Sequence, residues 1–382
     1  MIEEIVVVAQ KRAENLQDVP LSITAFDRDA LENRRIDRID DVAQRVPNLE
    51  FSTFSSGRPE FTIRGIGTSG IARSALENSV IVFLDEVYVS RSSASLFELF
   101  DLEQVSVLRG PQGTLFGKNV VGGVVSLTTS RPNADHWEAR LQAGAGNFHA
   151  REFKALVSGP LSERIAAKLS LLKKDRDGFG EDLISGRDSD DQDVLALRGQ
   201  ALLDVAKGVE LLLGADFHDS EDGSQTRSLV PEFDSFPPSA ATGRVRRTEH
   251  GHEVGTGTEQ WGLSAKLDWR RESGSVTGIA AYCEVDFHTL DQFGPRGIRS
   301  GQGYDDLFGQ EESARQFSLE LRYASERAGP WNGVAGVYYT REKVDRVEFE
   351  EITVVEESGA STAAAATGGG GPRPRAGPPS RT

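Results

Sequence analysis

From His136 to about residue 351, apolar and polar residues alternate with a period of two, in nine segments of about nine to twelve residues. This is the side-chain period of a β-strand, so each segment predicts a strand with one apolar face. Strands of ordinary domains average about five or six residues, whereas a strand that crosses a bilayer needs about nine to eleven. The segment lengths therefore favour membrane-spanning strands.

The connections between these strands alternate strictly in length after the second strand. Short turns occupy residues 158–163, 204–208, 270–274 and 325–330, and long polar loops occupy 174–193, 218–259 and 288–314. Outer-membrane barrels have short turns at one end and long loops at the other. Trp137, Trp269 and Trp331 lie at the short-turn end, where an interfacial aromatic girdle is expected. A soluble β-sandwich is the alternative, but its strands would be shorter and its loops less regular.

Composition and charge exclude several other classes. The 43 basic and 59 acidic residues give a net charge of −16, which repels the phosphates of nucleic acid. No run reaches the roughly 18 consecutive apolar residues of a membrane-spanning helix. Cys283 is the single cysteine, which excludes intrachain disulfides and cysteine-based metal sites. The first residues lack the basic and apolar regions of a secretory signal, so we expect either a cytoplasmic protein or a missing true N-terminus.

One motif suggests a dinucleotide site. Gly65, Gly67 and Gly70 match G-x-G-x-x-G, and Asp85 lies twenty positions after the first glycine, where an acid that binds ribose is expected. However, the preceding strand carries charged residues, and the segment that follows is too short for a complete crossover helix. A soluble NAD-binding enzyme is therefore kept only as an alternative function.

No catalytic or metal-binding arrangement emerges from the remaining motifs. The run from Gly113 to Asn119 differs by one residue from P-loop spacing, and His250 and His252 have no third ligand nearby in the sequence. We therefore expect no enzymatic step, no cofactor and no metal site.

The N-terminal region, up to about Pro132, has the pattern of a mixed α+β domain. Apolar residues at three- and four-residue spacing predict a helix over residues 30–46. Short strands are predicted at 61–64, 80–89 and 105–109, separated by clusters of Gly and Ser.

Three stretches of this region carry a family resemblance: Phe61–Gly65, Phe83–Val89, and Leu108–Gly117 continuing through Gly122 to Leu127. In this order and spacing they resemble the plug domain of TonB-dependent outer-membrane receptors. The start, Glu3-Glu4-Ile5-Val6-Val7-Val8-Ala9, resembles the energy-coupling box of that family. The resemblance is close over residues 3–132 and rests on barrel patterning from 136 to about 350.

The resemblance implies a globular plug inside a 22-stranded barrel. The expected fold is thus an α+β plug domain followed by antiparallel transmembrane β-barrel strands, with about nine of the 22 strands present. We expect a coupling segment at 1–15, the plug at 16–132, the N-terminal part of the barrel at 136–351, and a low-complexity tail at 352–382 that does not match the family. Nine strands would leave the barrel unclosed, so the chain has the appearance of a truncated receptor.

The resemblance also implies roles for individual residues. Residues 5–9 would pair with TonB as an added strand, although they could instead remain packed as a first plug strand. Arg64 and Arg109 would lock the plug to carboxylates of later barrel strands, unless they are simply solvated arginines at a turn. The expected structural glycines of the plug motifs are Gly65, Gly110, Gly113, Gly117, Gly122 and Gly123. Loop position and side-chain type, and not the resemblance, predict Phe54, Arg58 and Arg73 as ligand-facing residues.

The expected function is energy-coupled uptake of a scarce ligand, a ferric siderophore by family default, across the cell outer membrane. Cobalamin, haem, nickel chelates and oligosaccharides are alternative ligands. The implied partners are TonB with its inner-membrane energising complex, the ligand, and outer-membrane lipid, with no nucleic acid. A non-transporting remnant that keeps only the binding functions of the plug is the alternative function.

Overall fold

The computed structural model describes residues 6–8, 11, 13–17, 19–53, 59–67, 78–95, 98–117, 119–223, 246–248, 252, 254–292, 303–325, 332–356 and 359–365. They form a small mixed domain, the plug (residues 19–130), and a large antiparallel sheet, the wall (residues 138–365). None of the helices in these ranges is long and apolar enough to cross a membrane.

Among its described residues, the N-terminal region contains ten short strands and three short α-helices, with a 3-10 turn at Ser93–Ser95. In chain order these are β1 Val6–Val8, β2 Ala13–Asn15, β3 Ile23–Asp27, α1 Arg28–Asn33, α2 Ile39–Ala43, β4 Leu49–Thr53, β5 Pro59–Ile63, β6 Ile66–Gly67, β7 Val80–Leu84, β8 Val87–Val89, β9 Leu102–Arg109, α3 Gly113–Phe116 and β10 Gly123–Thr129. The central sheet has the order β3-β9-β10-β7-β8, and β4-β5-β6 and β1-β2 form separate small sheets.

The central plug sheet is buried on both faces. Along β7, Val80 and Val82 pack into one apolar cluster, with residues of α1 and α2, while Ile81 and Phe83 pack into a second cluster on the other face. A strand covered on both faces needs a continuous apolar run, which explains the sequence Val-Ile-Val-Phe-Leu.

The single helix predicted over residues 30–46 is wrong, because the chain forms two short helices. Asp27 caps α1 by accepting a hydrogen bond from the Ala30 amide at 2.7 Å. Arg35 then adopts a left-handed φ of 48°, which ends the helix and turns the chain before α2 begins. The helical spacing nevertheless identified core residues correctly, since Ile36 and Val42 are fully buried.

The single strand predicted over residues 80–89 is also wrong, because it is a β-hairpin. Asp85 and Glu86 both have left-handed φ values, 49° and 68°, as in a type I′ turn between β7 and β8. The Asp85 carboxylate accepts hydrogen bonds from the amide and the hydroxyl of Thr129, both at 2.8 Å, which holds the turn against β10.

The wall is an antiparallel sheet in which each strand pairs with the next long strand of the chain. Its strands are β11 Glu138–Ala145, β12 Arg151–Ser162, β13 Ile165–Arg176, β16 Gln192–Ala206, β17 Val209–Gly223, β19 Gly255–Arg271, β20 Gly274–Gln292, β21 Gly303–Ser325, β22 Val334–Glu356 and β23 Gly359–Ala365. Between them, β14 Gly180–Asp182, β15 Asp188–Ser189 and β18 Arg247–Thr248 form a small sheet in the long loops.

The nine predicted wall strands are confirmed, and a tenth follows them. β22 continues to Glu356 and pairs with β23, so the sheet extends into the segment that the sequence suggested was a tail. Within the described residues, β11 and β23 are the two edges of the sheet and are not joined into a closed barrel.

The two faces of the wall have the reverse of ordinary polarity. On β19, every second residue from Trp261 to Trp269 is apolar and points outward; Leu263 is 52% exposed, whereas the inward Gln260 is 5% exposed. At about 3.3 Å per residue and a tilt of about 40°, this apolar row is roughly 20 Å high, close to the apolar band of an outer-membrane barrel. Trp269 is at the short-turn end as predicted, and Trp331 is outside the described residues.

Candidate functional site: the interface between plug and wall

The plug packs against the polar inner face of the wall, and a buried ion pair lies at the centre of this contact. The Lys168 ammonium on β13 is 2.6 Å from the Asp101 carboxylate of the plug, and both side chains are at most 2% exposed. Ser170 donates a hydrogen bond to the same carboxylate at 2.7 Å, and Lys168 also donates to the Ser130 hydroxyl at 3.0 Å. Two charges this deeply buried require such complete pairing.

A second charged cluster surrounds the turn of the plug hairpin. The Glu86 carboxylate pairs with Lys266 on β19 at 2.7 Å and with Arg322 on β21. Burial opposes ionisation of Glu86, but the Lys266 ammonium and the Arg322 guanidinium outweigh burial and hold the pKa of this carboxyl below its ordinary value. The turn is therefore held to two wall strands by a carboxylate that stays ionised.

The same cluster reaches the segment that follows β1. Arg322 donates a hydrogen bond to Glu320 at 2.8 Å, and the Lys11 ammonium pairs with Glu320 at 3.1 Å. Lys11 also lies 5.4 Å from the Phe83 ring centre and 5.2 Å from that of Phe116. The N-terminal segment is thus linked to both the plug and the wall.

Further contacts join the plug to the long-loop half of the wall. Lys154 pairs with Asp37 at 2.8 Å, and Lys174 pairs with Glu98 at 3.1 Å. Together with the two clusters above, these pairs attach the plug to β12, β13, β19 and β21. The geometry describes a plug that is held by several separate polar contacts.

The predicted lock arginines lie close together at one end of the plug. Arg64 has a left-handed φ of 53° and an exposed side chain, and its Nη1 atom lies 3.8 Å from where a Cβ on Gly110 would stand. Arg109 donates a hydrogen bond to the Pro47 carbonyl at 3.3 Å. In the described part of the chain, no carboxylate pairs with either guanidinium. The lock therefore stays a prediction.

The plug-motif glycines fall into two groups. Gly65, Gly110 and Gly117 have positive φ values, with 107° at Gly110. Gly113 has open space around it. Gly122 and Gly123 instead sit where backbones approach closely: a Cβ at Gly123 would lie 2.3 Å from the Leu108 carbonyl oxygen. The structural role of these glycines stays a prediction, and Gly113 has neither a positive φ nor a close approach that would require glycine.

The remaining predicted residues are only partly described. Val6–Val8 forms β1, which pairs antiparallel with β2 and with no other described strand. Ile5, Ala9, Phe54, Arg58 and Arg73 lie outside the described residues.

The geometry contradicts the dinucleotide alternative. Gly65 lies in the turn between the antiparallel strands β5 and β6, and Gly67 lies in β6, so neither stands between a strand and a crossover helix. The Asp85 carboxylate is occupied by Thr129 in the hairpin turn. Among the described residues, no group of three or more His, Cys, Asp or Glu side chains is arranged to hold a metal ion.

Sequence reasoning missed the ion pairs of the interface, although part of the signal was present. Lys168, Arg198, Lys266 and Arg322 each stand at polar positions in strands whose alternate residues are apolar. If the apolar face meets lipid, such cations point inward and need carboxylates there. Their partners could not be identified, because Asp101 and Glu86 lie far away in the sequence.

Comparison with known proteins identifies the fold. The family model of the TonB-dependent receptor plug domain matches residues 15–124. The ferripyoverdine receptor of Pseudomonas aeruginosa is 23% identical over 222 residues, covering 57% of this chain and 26% of that receptor. The vitamin B12 transporter BtuB of Vibrio vulnificus is 28% identical over 148 residues, covering 37% of this chain and 23% of that transporter.

The ferric yersiniabactin uptake receptor FyuA from Yersinia pestis has a similar structure, with a TM-score of 0.71 at 17% identity, over 87% of this chain and 54% of that one. The matched region spans about a quarter of the length of the two curated relatives. The outward apolar band of the wall agrees with the outer-membrane location that the sequence predicted. Residues 15–124 therefore match the plug domain of TonB-dependent receptors, and the strands that follow have the same fold as part of the barrel wall of structurally similar receptors.

Proposed function

We propose that the protein takes up a scarce ligand across the outer membrane by TonB-dependent transport, and that the ligand is a ferric siderophore. The observation that carries this proposal is the plug held by ion pairs to the polar inner face of a wall whose outer face is apolar. In a complete barrel, such an arrangement would close the path through the membrane, and opening that path would require energy. The proposal assigns no enzymatic step to the protein.

The relatives support the ligand class without fixing it. The names of two similar proteins refer to ferripyoverdine and ferric yersiniabactin, whereas a third is a vitamin B12 transporter. A ferric chelate is therefore the first ligand class to test, and cobalamin the second. Phe54, Arg58 and Arg73 in the plug loops are the proposed ligand contacts.

The coupling step is assigned to residues 5–9. Val6–Val8 already adopts strand conformation, and among the described strands only β2 pairs with it, which leaves one edge for an added strand. TonB would pair with this edge. The nearby contact between Lys11 and Glu320 would join movement of this segment to the wall.

Arg64 and Arg109 are assigned to plug retention. Two neighbouring guanidiniums repel each other, and they would need anionic partners if barrel strands enclosed them. We assign those partners to carboxylates of barrel strands, so that their release accompanies plug movement.

Uptake of ⁵⁵Fe-labelled siderophores by cells with and without this gene tests the transport proposal. We expect uptake that requires the gene and that stops when the proton gradient is collapsed. The variant Val7→Pro, which removes a strand hydrogen-bond donor, should abolish uptake but not binding, while Val7→Thr should retain both. Binding without uptake in the unaltered protein would contradict transport and support the non-transporting alternative.

A further inference from the structure

A small cavity lies between the plug hairpin and the wall. Its volume of about 60 Å³ is room for a few water molecules. On the plug side it is lined by Leu84 and by residues of β8, and on the wall side by residues of β17, β19, β20 and β21. Leu263, which stands between the lining residues Gly262 and Ser264, is an exposed residue of the apolar band. The cavity therefore lies at the depth of the membrane.

The carboxylate of Asp216 on β17 borders this cavity, and no described residue donates a hydrogen bond to it. Asp216 stands directly opposite Gly262 of β19, and a Cβ at that glycine would lie 2.9 and 3.0 Å from the two carboxylate oxygens. The glycine thus makes room for the carboxylate on the side of β19, where the cavity lies. An ionisable side chain without a partner at this depth is costly, and it indicates a functional site.

The cations nearby are engaged with other groups. Arg198, which stands opposite Asp216 on β16, donates to the Phe100 carbonyl at 3.4 Å and lies 5.0 Å from the centre of that ring. Arg91, at the edge of the cavity, donates two hydrogen bonds to the Glu342 carboxylate at 2.6 and 2.8 Å. Within the described ranges, neither guanidinium forms an ion pair with Asp216. Arg198 attracts the carboxylate from a distance but does not occupy it.

The rest of the lining combines hydrogen-bond acceptors with small apolar side chains. Gln316 donates its amide to the Tyr88 carbonyl at 2.7 Å, which leaves its amide oxygen as an acceptor. The second lining carboxylate, that of Asp85, accepts from the amide and the hydroxyl of Thr129. Three small apolar side chains complete the wall side: Ala281, Val285 and Ala314. The cavity is therefore acidic, and Asp216 carries the charge that no hydrogen bond matches.

We propose that this cavity binds a compact organic cation, such as a guanidinium group, through the Asp216 carboxylate. A guanidinium offers N–H donors in the planar geometry that matches a carboxylate, and it is weakly hydrated, so it enters a partly apolar cavity readily. A metal ion is disfavoured, because the described residues contain no group of three or more acidic, His or Cys side chains placed to hold one. The volume is too small for a whole siderophore. This inference therefore does not rest on the proposed transport.

Equilibrium dialysis of the purified chain in detergent, with ¹⁴C-methylguanidinium as the probe, tests the proposal. We expect one saturable site per chain, which neutral methylurea at the same concentration does not occupy. Asp216→Asn removes the charge and keeps the shape of the side chain, so it should bind on the order of tenfold more weakly or less. The matched control is Asp204→Asn, an exposed aspartate at the end of β16 and outside the cavity, which should not change binding.

Ala281→Leu tests the cavity itself, because the larger side chain fills the space and leaves the carboxylate in place. It should weaken binding severalfold. A lack of saturable binding by the unaltered protein would overturn the proposal, as would equal binding by Asp216→Asn. Displacement of the probe by an equal concentration of K⁺ would also overturn it, since the site would then recognise charge alone. Circular dichroism of each variant in the same detergent verifies that the strands are retained.

Discussion

Replacement of Asp101 by Asn would leave Lys168 as a buried cation without a carboxylate. The Lys168 side chain is 1% exposed, and its remaining partner is Ser130, whose hydroxyl accepts at 3.0 Å. Removing one member of a buried ion pair costs about 3–5 kcal/mol. Because the hydrogen bond to Ser130 remains, we expect a loss of about 3 kcal/mol in the free energy of unfolding. This changes the equilibrium between folded and unfolded states by more than a hundredfold.

The substitution keeps the shape of the side chain, but an amide nitrogen replaces one of the two carboxylate oxygens, which accept from Ser130 and Ser170. Asp101 has a left-handed φ of 54°, which Asn tolerates well, and the amide oxygen can still accept from Ser170. Urea unfolding in lipid vesicles, followed by tryptophan fluorescence, gives the free energy of unfolding. Adding Lys168→Met to Asp101→Asn should recover part of the loss, because the unpaired cation is removed.

The matched control is an exposed pair in the long loops. Arg247 and Glu181 are 3.2 Å apart with side chains 39% and 52% exposed, so Arg247→Gln should cost less than about 1 kcal/mol. If Asp101→Asn costs no more than Arg247→Gln, the buried pair does not hold the plug and the reasoning is refuted.

Three further perturbations test other parts of the structure. Glu86 has a lowered pKa, so its stabilising effect is present above its unfolded pKa of about 4.3 and is lost as pH falls through its lower folded value. Glu86→Gln should therefore lower the free energy of unfolding at pH 7 by about 2 kcal/mol. In urea titrations between pH 5 and 3, the variant should lose less of its stability than the unaltered protein does, and an equal loss would contradict this. Gly123→Ala should destabilise the protein by about 1–3 kcal/mol, because the added Cβ would overlap a carbonyl oxygen. Gly113→Ala should not destabilise it, because there is open space around Gly113. Equal thermal midpoints of the two variants would contradict the close approach at Gly123. Leu319→Arg, in the apolar band, should lower the free energy of unfolding in vesicles by about 2–4 kcal/mol. Ser313→Arg, beyond the band, should lower it by less than about 1 kcal/mol. Similar losses in the two variants would show that the assigned position of the band is wrong.

The wall was predictable because its physics is local. Alternation along a strand such as β19 places Leu263 and Leu267 on one face whatever the partner strands are, and the lipid outside requires only that this face be apolar. Strand number and approximate bounds followed from this alternation alone. β23 escaped prediction because Ala and Gly dominate its sequence and carry no polarity pattern.

The plug was less predictable because its turns depend on backbone conformations that the residue types do not announce. Arg35 and Glu86 adopt left-handed φ values, although neither is Gly or Asn, and tertiary contacts hold them there. The interface ion pairs were out of reach for another reason. Lys168 and Asp101 meet only when the wall packs against the plug, and no local pattern encodes that packing.

The alternation of the wall strands also determines how the chain would behave before it folds. If β19 met a bilayer as a helix, Leu263 and Leu267 would lie on one side and Trp261 on the opposite side, with Gln260, Lys266 and other polar residues between them. Such a segment is too polar on average to be retained by a membrane as a helix. The strand becomes lipid-compatible only once its neighbours align its apolar residues on one side. A nascent chain of this kind can thus pass through one membrane in extended form and still insert stably into another after assembly.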